Sequence, residues 1–399
     1  MRKSLIVCLL SLFCSVVIAA NKHYVVVVSL DGVRWDYAQF YPTPFFHSMA
    51  KKGVEAIMRP SFPSKTFPNH YTLATGLYPD HHGIVANSFL DRVRHRHYSI
   101  GNSVTRNDTS YYKGEPIWNT YQRQGGKSAC VYWVGSDIPI NGSHPDSYLS
   151  YEEAPLLTFS QRVDRVIDLL SKPESERPHL VMAYFEEPDH SGHGYGPQGR
   201  QTANAVALMD SLMNELYNRI QKLPIAADVD FIVTGDHGMT SVEPFRTVSI
   251  KTYLKKSWIN RTDGDVPTLI YVNPGCTDSI VSALKGVPHI QAWKKNEIPA
   301  YLHYGSNPNI GDVVVLPDIG WLFTDGAVGQ HGTHGFDPTF NDMQVMFRAI
   351  GPDFKTGYTK QEPFRNVDIY SLLAHLLNVK PAPNDGDITE VEDLLNPSK

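Results

Sequence analysis

The sequence predicts an α/β protein: a doubly wound, mostly parallel sheet with helices on both faces and one small inserted lobe. Three observations carry that reading. Four runs, "HYVVVVSLDG" (23–32), "HLVMAYFEEPD" (179–189), "DFIVTGDHG" (230–238) and "MQVMFRAIG" (343–351), are apolar without alternation, as strands of a parallel sheet covered on both faces must be. Between them lie segments with apolar residues at helical spacing, and strands alternating with helices favour a wound sheet. From about Thr240 to Gly329 the chain turns rich in Gly, Pro, Asn and Asp, with short hydrophobic runs. That stretch reads as a lobe inserted into the larger unit.

In chain order, residues 1–20 read as a secretory signal peptide. Arg2 and Lys3 form its charged start, "SLIVCLLSLFCSVVI" its apolar middle, and Ala19-Ala20 the small residues for cleavage. A retained membrane anchor is the alternative. No later segment is long and apolar enough to span a bilayer. Removal of the signal leaves one domain, 21–399, secreted or periplasmic, with Cys130 and Cys276 as its cysteines. They would form one disulfide or stay as two free thiols; without a CxxC partner they do not suggest a zinc site.

Further along, "NHYTLATG" begins a helix-like run. "TFSQRVDRVIDLLSK" puts Phe159, Val163, Val166, Ile167 and Leu170 on one face, and "GRQTANAVALMDSLMNELYNRIQKL" repeats the pattern over a longer span. No internal repeat or disordered linker interrupts the order. The formal net charge of −5 argues against a protein that coats nucleic acid, and no stable nucleic-acid complex is expected.

Three of the four strand candidates finish in or just before an acid: Asp31, Asp189 and Asp236. Ligands of open α/β sheets bind beyond the carboxyl ends of the strands. One such Asp would only cap a turn; three, each trailed by Gly or His, read as a site. Asp189 and His193 are four apart, Asp236 and His237 are adjacent, and "GQHGTHGFDP" adds His331 and His334. Carboxylate and imidazole together suit zinc and similar divalent ions. Asp31, Asp189, His193, Asp236, His237 and His334 make six donors, three for each of two ions, which leaves a position open for substrate. Two ions close together suit in-line displacement at phosphorus.

The stretch "SFPSKTFPNHYTLATG" (61–76) sets a hydroxyl, Thr66, between two prolines at a helix entrance. Thr66 is either a helix cap or a nucleophile. Contact with a divalent ion would make its alkoxide accessible, and the helix N-terminus would receive the phosphate.

With these residues in place, "SFPSKTFPNHYTLATGLYPDHHGIVANSF", "FEEPDHSGHGYGP", "TGDHGM" and "GTHGFDP" resemble the nucleotide pyrophosphatase/phosphodiesterase family of the alkaline phosphatase superfamily. The resemblance runs from "SLDGVRWDY" to "NVDIYSLLAHLLNVKPAPNDG", nearly the whole chain. It implies an alkaline-phosphatase-like fold and two zinc ions. Thr66 would be the nucleophile and a contact of the ion held by Asp31, Asp236 and His237, while Asp189, His193 and His334 would hold the second. Asn87 would bond a non-bridging phosphate oxygen, and His331 would not be a ligand. The implied reaction is hydrolysis of nucleotide phosphodiester and pyrophosphate bonds to nucleoside 5′-monophosphates through a phospho-threonine. A phospholipid, choline-phosphate or monoester substrate is the alternative, and an inactive binding protein the contrasting class.

In nucleotide-cleaving members, aromatic residues at the positions of Phe67, Tyr151 and Tyr184 line a slot for the base, and Trp133 and Asp137 in "YWVGSDIPI" join the candidate substrate contacts; core packing is the competing role for each ring. Lys65 either meets a phosphate or is solvated. "RVRHRH" (92–97) reads as a mixed-charge hairpin more than a polyanion site. One of Glu186 and Glu187 is a candidate to support Asp189 from behind.

Overall fold

The computed structural model of the chain describes residues 23–397 apart from 325 and 327; the expected signal peptide lies outside the described residues. The central sheet has nine strands: β1 (Tyr24–Leu30), β2 (Val54–Arg59), β3 (Ser128–Val131), β4 (Ser147–Leu149), β5 (Leu180–Phe185), β6 (Val229–Thr234), β7 (Val345–Ile350), β8 (Tyr358–Thr359) and β9 (Phe364–Arg365). Their order is β8-β2-β7-β6-β1-β5-β3-β4, with β9 also on β2. All seven residues of β1, "YVVVVSL", are buried, and β1 pairs in parallel with β5 and β6, Val25 standing beside Leu180 and Asp230.

All four apolar runs are strands of this sheet. One differs from the expectation: β7 runs antiparallel to both neighbours. Its residues are all buried, and burial on two faces is what the apolar run reported; strand direction leaves no such trace in composition.

Two sets of helices cover the sheet. Pro44–Lys52, Phe159–Leu170 and Arg200–Ile220 pack on one another, and Thr66–Thr75, Ile117–Arg123 and Asp368–Leu376 form the second set. Thr158 caps the helix Phe159–Leu170 by a reciprocal bond with Gln161, satisfying two end donors at once. The helix then buries Val163, Val166, Leu169 and Leu170.

Between 240 and 329 the chain builds a separate antiparallel sheet from Ile259–Asp263, Thr268–Val272, Ile290–Lys294 and Val313–Pro317. It has its own small core of Ile250, Ile270, Ile280, Leu284, Val313 and Val315. Asp80 ties this lobe to the main body by accepting the backbone N–H groups of Gly305 (3.1 Å) and Asn307 (2.8 Å). Cys130 and Cys276 are free thiols. Among the described residues no helix is long and apolar enough to cross a membrane.

Candidate active site

The site lies beyond the carboxyl ends of β1, β5 and β6. Asp31 directly follows β1, Asp236 and His237 follow β6, and Asp189 opens the helix Asp189–Tyr195, which carries His193 one turn on. His334 comes from the loop after the short strand Gly332–Thr333. Gly32 lets the acids converge. It sits at φ +67, its N–H donates to Asp236 Oδ1 at 3.2 Å, and a Cβ there would lie 3.0 Å from both Cα and Cβ of Asp189. A side chain would be strained in its backbone and would press on a neighbouring acid.

The six donors fall into two groups, Asp31 with Asp236 and His237, and Asp189 with His193 and His334; within each, the donor atoms lie within 4.8 Å of one another. The groups adjoin, since the rings of His237 and His334 stack with centroids 3.6 Å apart. Thr66 Oγ1 lies 3.2 Å from His237 Nε2. His331 is exposed and stays outside both groups.

The chemistry of these donors fits two cations. All three imidazoles spend Nδ1–H on a backbone carbonyl: His237 on Gly238 (2.9 Å), His193 on Gly332 (2.9 Å) and His334 on Ser64 (2.7 Å). Each therefore turns Nε2 toward the site, the outer-contact pattern that fixes a metal-binding imidazole. The Nε2 atoms of His193 and His334 stand 3.2 Å apart, two lone pairs that a cation would reconcile. Asp31 Oδ1 and Asp189 Oδ1 are buried without a hydrogen-bond partner. Burial, then the charges of Asp236 and Asp189, push the Asp31 carboxyl well above its usual range. Burial, then the His237 and Lys65 charges, hold His334 well below the ordinary imidazole value. So many acceptors with so little to accept call for positive charge.

Thr66 is the first residue of the helix Thr66–Thr75. The capping position belongs to Lys65, and no side chain caps that end, so the cap role for Thr66 is corrected. Asn87 accepts the Phe67 N–H at Oδ1 (3.2 Å), which leaves its NH₂ as the end able to donate. Lys65 is nearly buried and pairs with Asp265 of the lobe at 2.8 Å, so the solvated reading is corrected too.

A cleft of about 270 Å³ opens beside Thr66, lined by Phe67, Trp133, Asp137, Tyr151 and Tyr184. Tyr151 is 40% exposed, and its ring meets Tyr184 edge-on at 5.9 Å. Trp133 is buried, and its indole N–H donates to the His70 carbonyl at 3.2 Å. Asp137 accepts the Ser150 hydroxyl at 2.7 Å. Tyr184 does more than line the cleft, because its hydroxyl donates to Asp31 Oδ2 at 2.6 Å.

Sequence reasoning missed His70. It lies one turn after Thr66, donates Nδ1–H to the Thr66 carbonyl (3.0 Å) and accepts the Ser29 hydroxyl at Nε2 (2.8 Å), with Asp236 Oδ2 3.3 Å away. The i, i+4 spacing from Thr66 was the available signal. Arg106 and Glu152, an ion pair, also line the cleft; no local pattern announces them. Neither Glu186 nor Glu187 supports Asp189: Glu186 pairs with the buried Arg162, and Glu187 accepts the Ser191 N–H and hydroxyl. The basic cluster is a hairpin of Ser88–Asp91 with Arg96–Ser99, and Arg92, Arg94, Arg96 and His97 each face an aspartate.

Residues 25–337 match the family described as Type I phosphodiesterase / nucleotide pyrophosphatase. The chain belongs to that family. It is 33% identical to human ectonucleotide pyrophosphatase/phosphodiesterase family member 5, over 98% of this chain and 82% of the relative. It is 34% identical to the bovine bis(5′-adenosyl)-triphosphatase of the same family, over 94% and 83%. Against rat family member 3 the identity is 33% over 93% of this chain, which spans 44% of that longer relative. Among solved structures, murine ectonucleotide pyrophosphatase/phosphodiesterase 5 superposes with a TM-score of 0.88 at 35% identity, covering 94% of this chain and all of the other. An inactive threonine-to-alanine variant of that murine protein, in complex with AMP, matches equally well. The fold is thus alkaline-phosphatase-like, and the chain is a phosphodiesterase/pyrophosphatase enzyme.

Proposed function

We propose that the chain is a secreted or periplasmic phosphodiesterase that splits nucleotide phosphodiester and pyrophosphate bonds and releases nucleoside 5′-monophosphates. The observation that carries this reading is the place of the Thr66 hydroxyl, against one donor triad, beside the second, and at the mouth of an aromatic cleft. Asp31, Asp236 and His237 would hold one zinc ion and Asp189, His193 and His334 the other. When bound, the pair would supply the Lewis acidity that favours the threonine alkoxide and the departing oxygen.

The chain's own residues do the rest. Thr66 Oγ1 attacks phosphorus in line, the leaving-group oxygen departs opposite, and a phospho-threonine remains for water to cleave. The Asn87 NH₂ meets the charge that grows on a non-bridging oxygen. His70 fixes the carbonyl of Thr66 from behind, and the helix N-terminus favours the phosphate. The nucleoside enters the cleft among Phe67, Trp133, Tyr151 and Tyr184, where any base offers a face for stacking; Asp137 meets its polar edge. The N-terminal pattern of residues 1–20 supports export, as do the relatives' names as ectoenzymes.

Hydrolysis of p-nitrophenyl thymidine 5′-monophosphate, p-nitrophenyl phosphocholine and p-nitrophenyl phosphate tests the substrate class. The thymidine ester is expected to turn over fastest. A clear preference for the choline ester would move the chain to lipid-type substrates, and a clear preference for p-nitrophenyl phosphate would move it to monoesters.

A further inference from the structure

Among the described residues a third set of ligand-type side chains converges as the two at the active site do: His23, Asp230 and Asp353, with donor atoms within 4.8 Å of one another. We propose that these three residues form a separate divalent transition-metal site, structural in role, at the end of the sheet opposite the active site.

Topology brings them together. β1 and β6 are parallel, so their amino ends lie side by side, and His23 precedes β1 while Asp230 is the second residue of β6. β7 runs the other way beside β6, so its carboxyl end arrives at the same edge and delivers Asp353 three residues on. The length of β1, seven residues, puts roughly 20 Å between this cluster and Asp31.

His23 Nδ1 lies 2.9 Å from Asp353 Oδ2. Asp353 donates its backbone N–H to Asp230 Oδ1 at 3.2 Å. Asp230 is fully buried, and its Oδ2 has no hydrogen-bond partner. The chain makes room for this carboxylate: a Cβ on Gly351 would fall 2.2 Å from Asp230 Oδ1. A cleft of about 810 Å³, lined by His23, Asp353, His375 and Asn396 among others, gives access from solvent.

A buried carboxylate oxygen with nothing to accept is unfavourable, and two occupants would relieve it. A proton shared with Asp353 is one; burial, then the charge of Asp353, pushes the Asp230 carboxyl up to about 8. A cation is the other. The imidazole favours the cation: His23 Nδ1, 2.9 Å from Asp353 Oδ2, brings a third ligand-type atom within 4.8 Å of the two carboxylates, which a proton shared between carboxylates does not require. One nitrogen and two carboxylates select zinc or manganese over calcium, which takes oxygen ligands. A metal here would pin the entrance of β1 to the end of the reversed strand, and binding only the folded chain stabilises it.

Elemental analysis decides. The whole protein is stripped of metal, reloaded with zinc and freed of unbound ion, alongside His23→Gln and Asp230→Asn variants. Each variant is expected to carry about one zinc fewer per chain than the parent, to turn over p-nitrophenyl thymidine 5′-monophosphate at the parental rate, and to lose part of the zinc-dependent rise in unfolding temperature. His23 is partly exposed at a strand entrance, so its variant remains informative should Asp230→Asn fail to fold. Parental zinc content in His23→Gln would overturn the proposal. So would an Asp230→Asn protein that is stabilised without zinc and binds as much of it, the outcome a shared proton demands.

Discussion

Thr66, the proposed nucleophile, is held by contacts on both sides. His237 Nε2 faces its hydroxyl, and His70 holds its carbonyl. Thr66→Ala removes the attacking oxygen while leaving all six donors, so turnover is expected to fall on the order of 10³-fold or more with zinc content unchanged. Activity near the parental level would mean that water attacks directly. Tyr184 has two surfaces, a ring in the cleft and a hydroxyl on Asp31. Tyr184→Phe keeps the ring and deletes a bond to a buried carboxylate. Zinc affinity should drop about 10-fold or more, with activity recovered at high zinc; unchanged affinity would reduce Tyr184 to a platform for the base. His82, behind the same helix, is buried between Thr72 Oγ1 (3.1 Å) and the Pro68 carbonyl (3.0 Å), and burial pushes its imidazole down to about 3. The unfolded chain takes up that proton near pH 6.5 while the folded chain does not. Stability from this residue is therefore present above pH 6.5 and is lost as pH falls toward 3, by up to ~1.4 kcal/mol per unit. Urea unfolding across that window should be steeper in pH for the parent than for His82→Gln, and equal slopes would refute the assignment.

At the scale of elements, three strand ends and one helix do the positioning. β1, β5 and β6 are parallel neighbours, so Asp31, Asp189 and Asp236 must emerge on the same edge, and the helix Asp189–Tyr195 then turns His193 onto the face of Asp189. The close approach depends on the turn after β1. Gly32→Ala puts a side chain at φ +67 and 3.0 Å from Asp189, a strain of about 1–2 kcal/mol added to a displaced ligand. A loss of 10-fold or more in kcat/KM is expected, with folded secondary structure retained by circular dichroism; full activity would show that the turn tolerates a Cβ.

At the scale of the whole molecule, the main sheet positions most of the donors, and the lobe reaches the residue before Thr66 through Asp265 on Lys65. What the sequence disclosed follows from how local each signal is. β1, β5, β6 and β7 are legible because burial, complete but for Tyr184 in β5, writes a largely apolar run. β2 alternates buried and half-buried residues, and β3 and β4 have four and three residues, too few to stand out from the surrounding chain. The proposed ligands are legible because they come in near pairs at strand ends, Asp189 with His193 and Asp236 with His237. The bond from Tyr184 to Asp31 spans 153 positions, and the pair of Arg106 with Glu152 forms across a fold that no local pattern encodes. The reversed direction of β7, invisible in composition, is what carries Asp353 to the far end of the sheet.

All of this rests on two metal ions meeting at Thr66. Anomalous diffraction at the zinc edge, from crystals of the purified protein grown with zinc, tests it most directly. Two peaks are predicted, one inside Asp31, Asp236 and His237 with Thr66 Oγ1 beside it, the other inside Asp189, His193 and His334. Fully active crystals with neither peak would contradict the account.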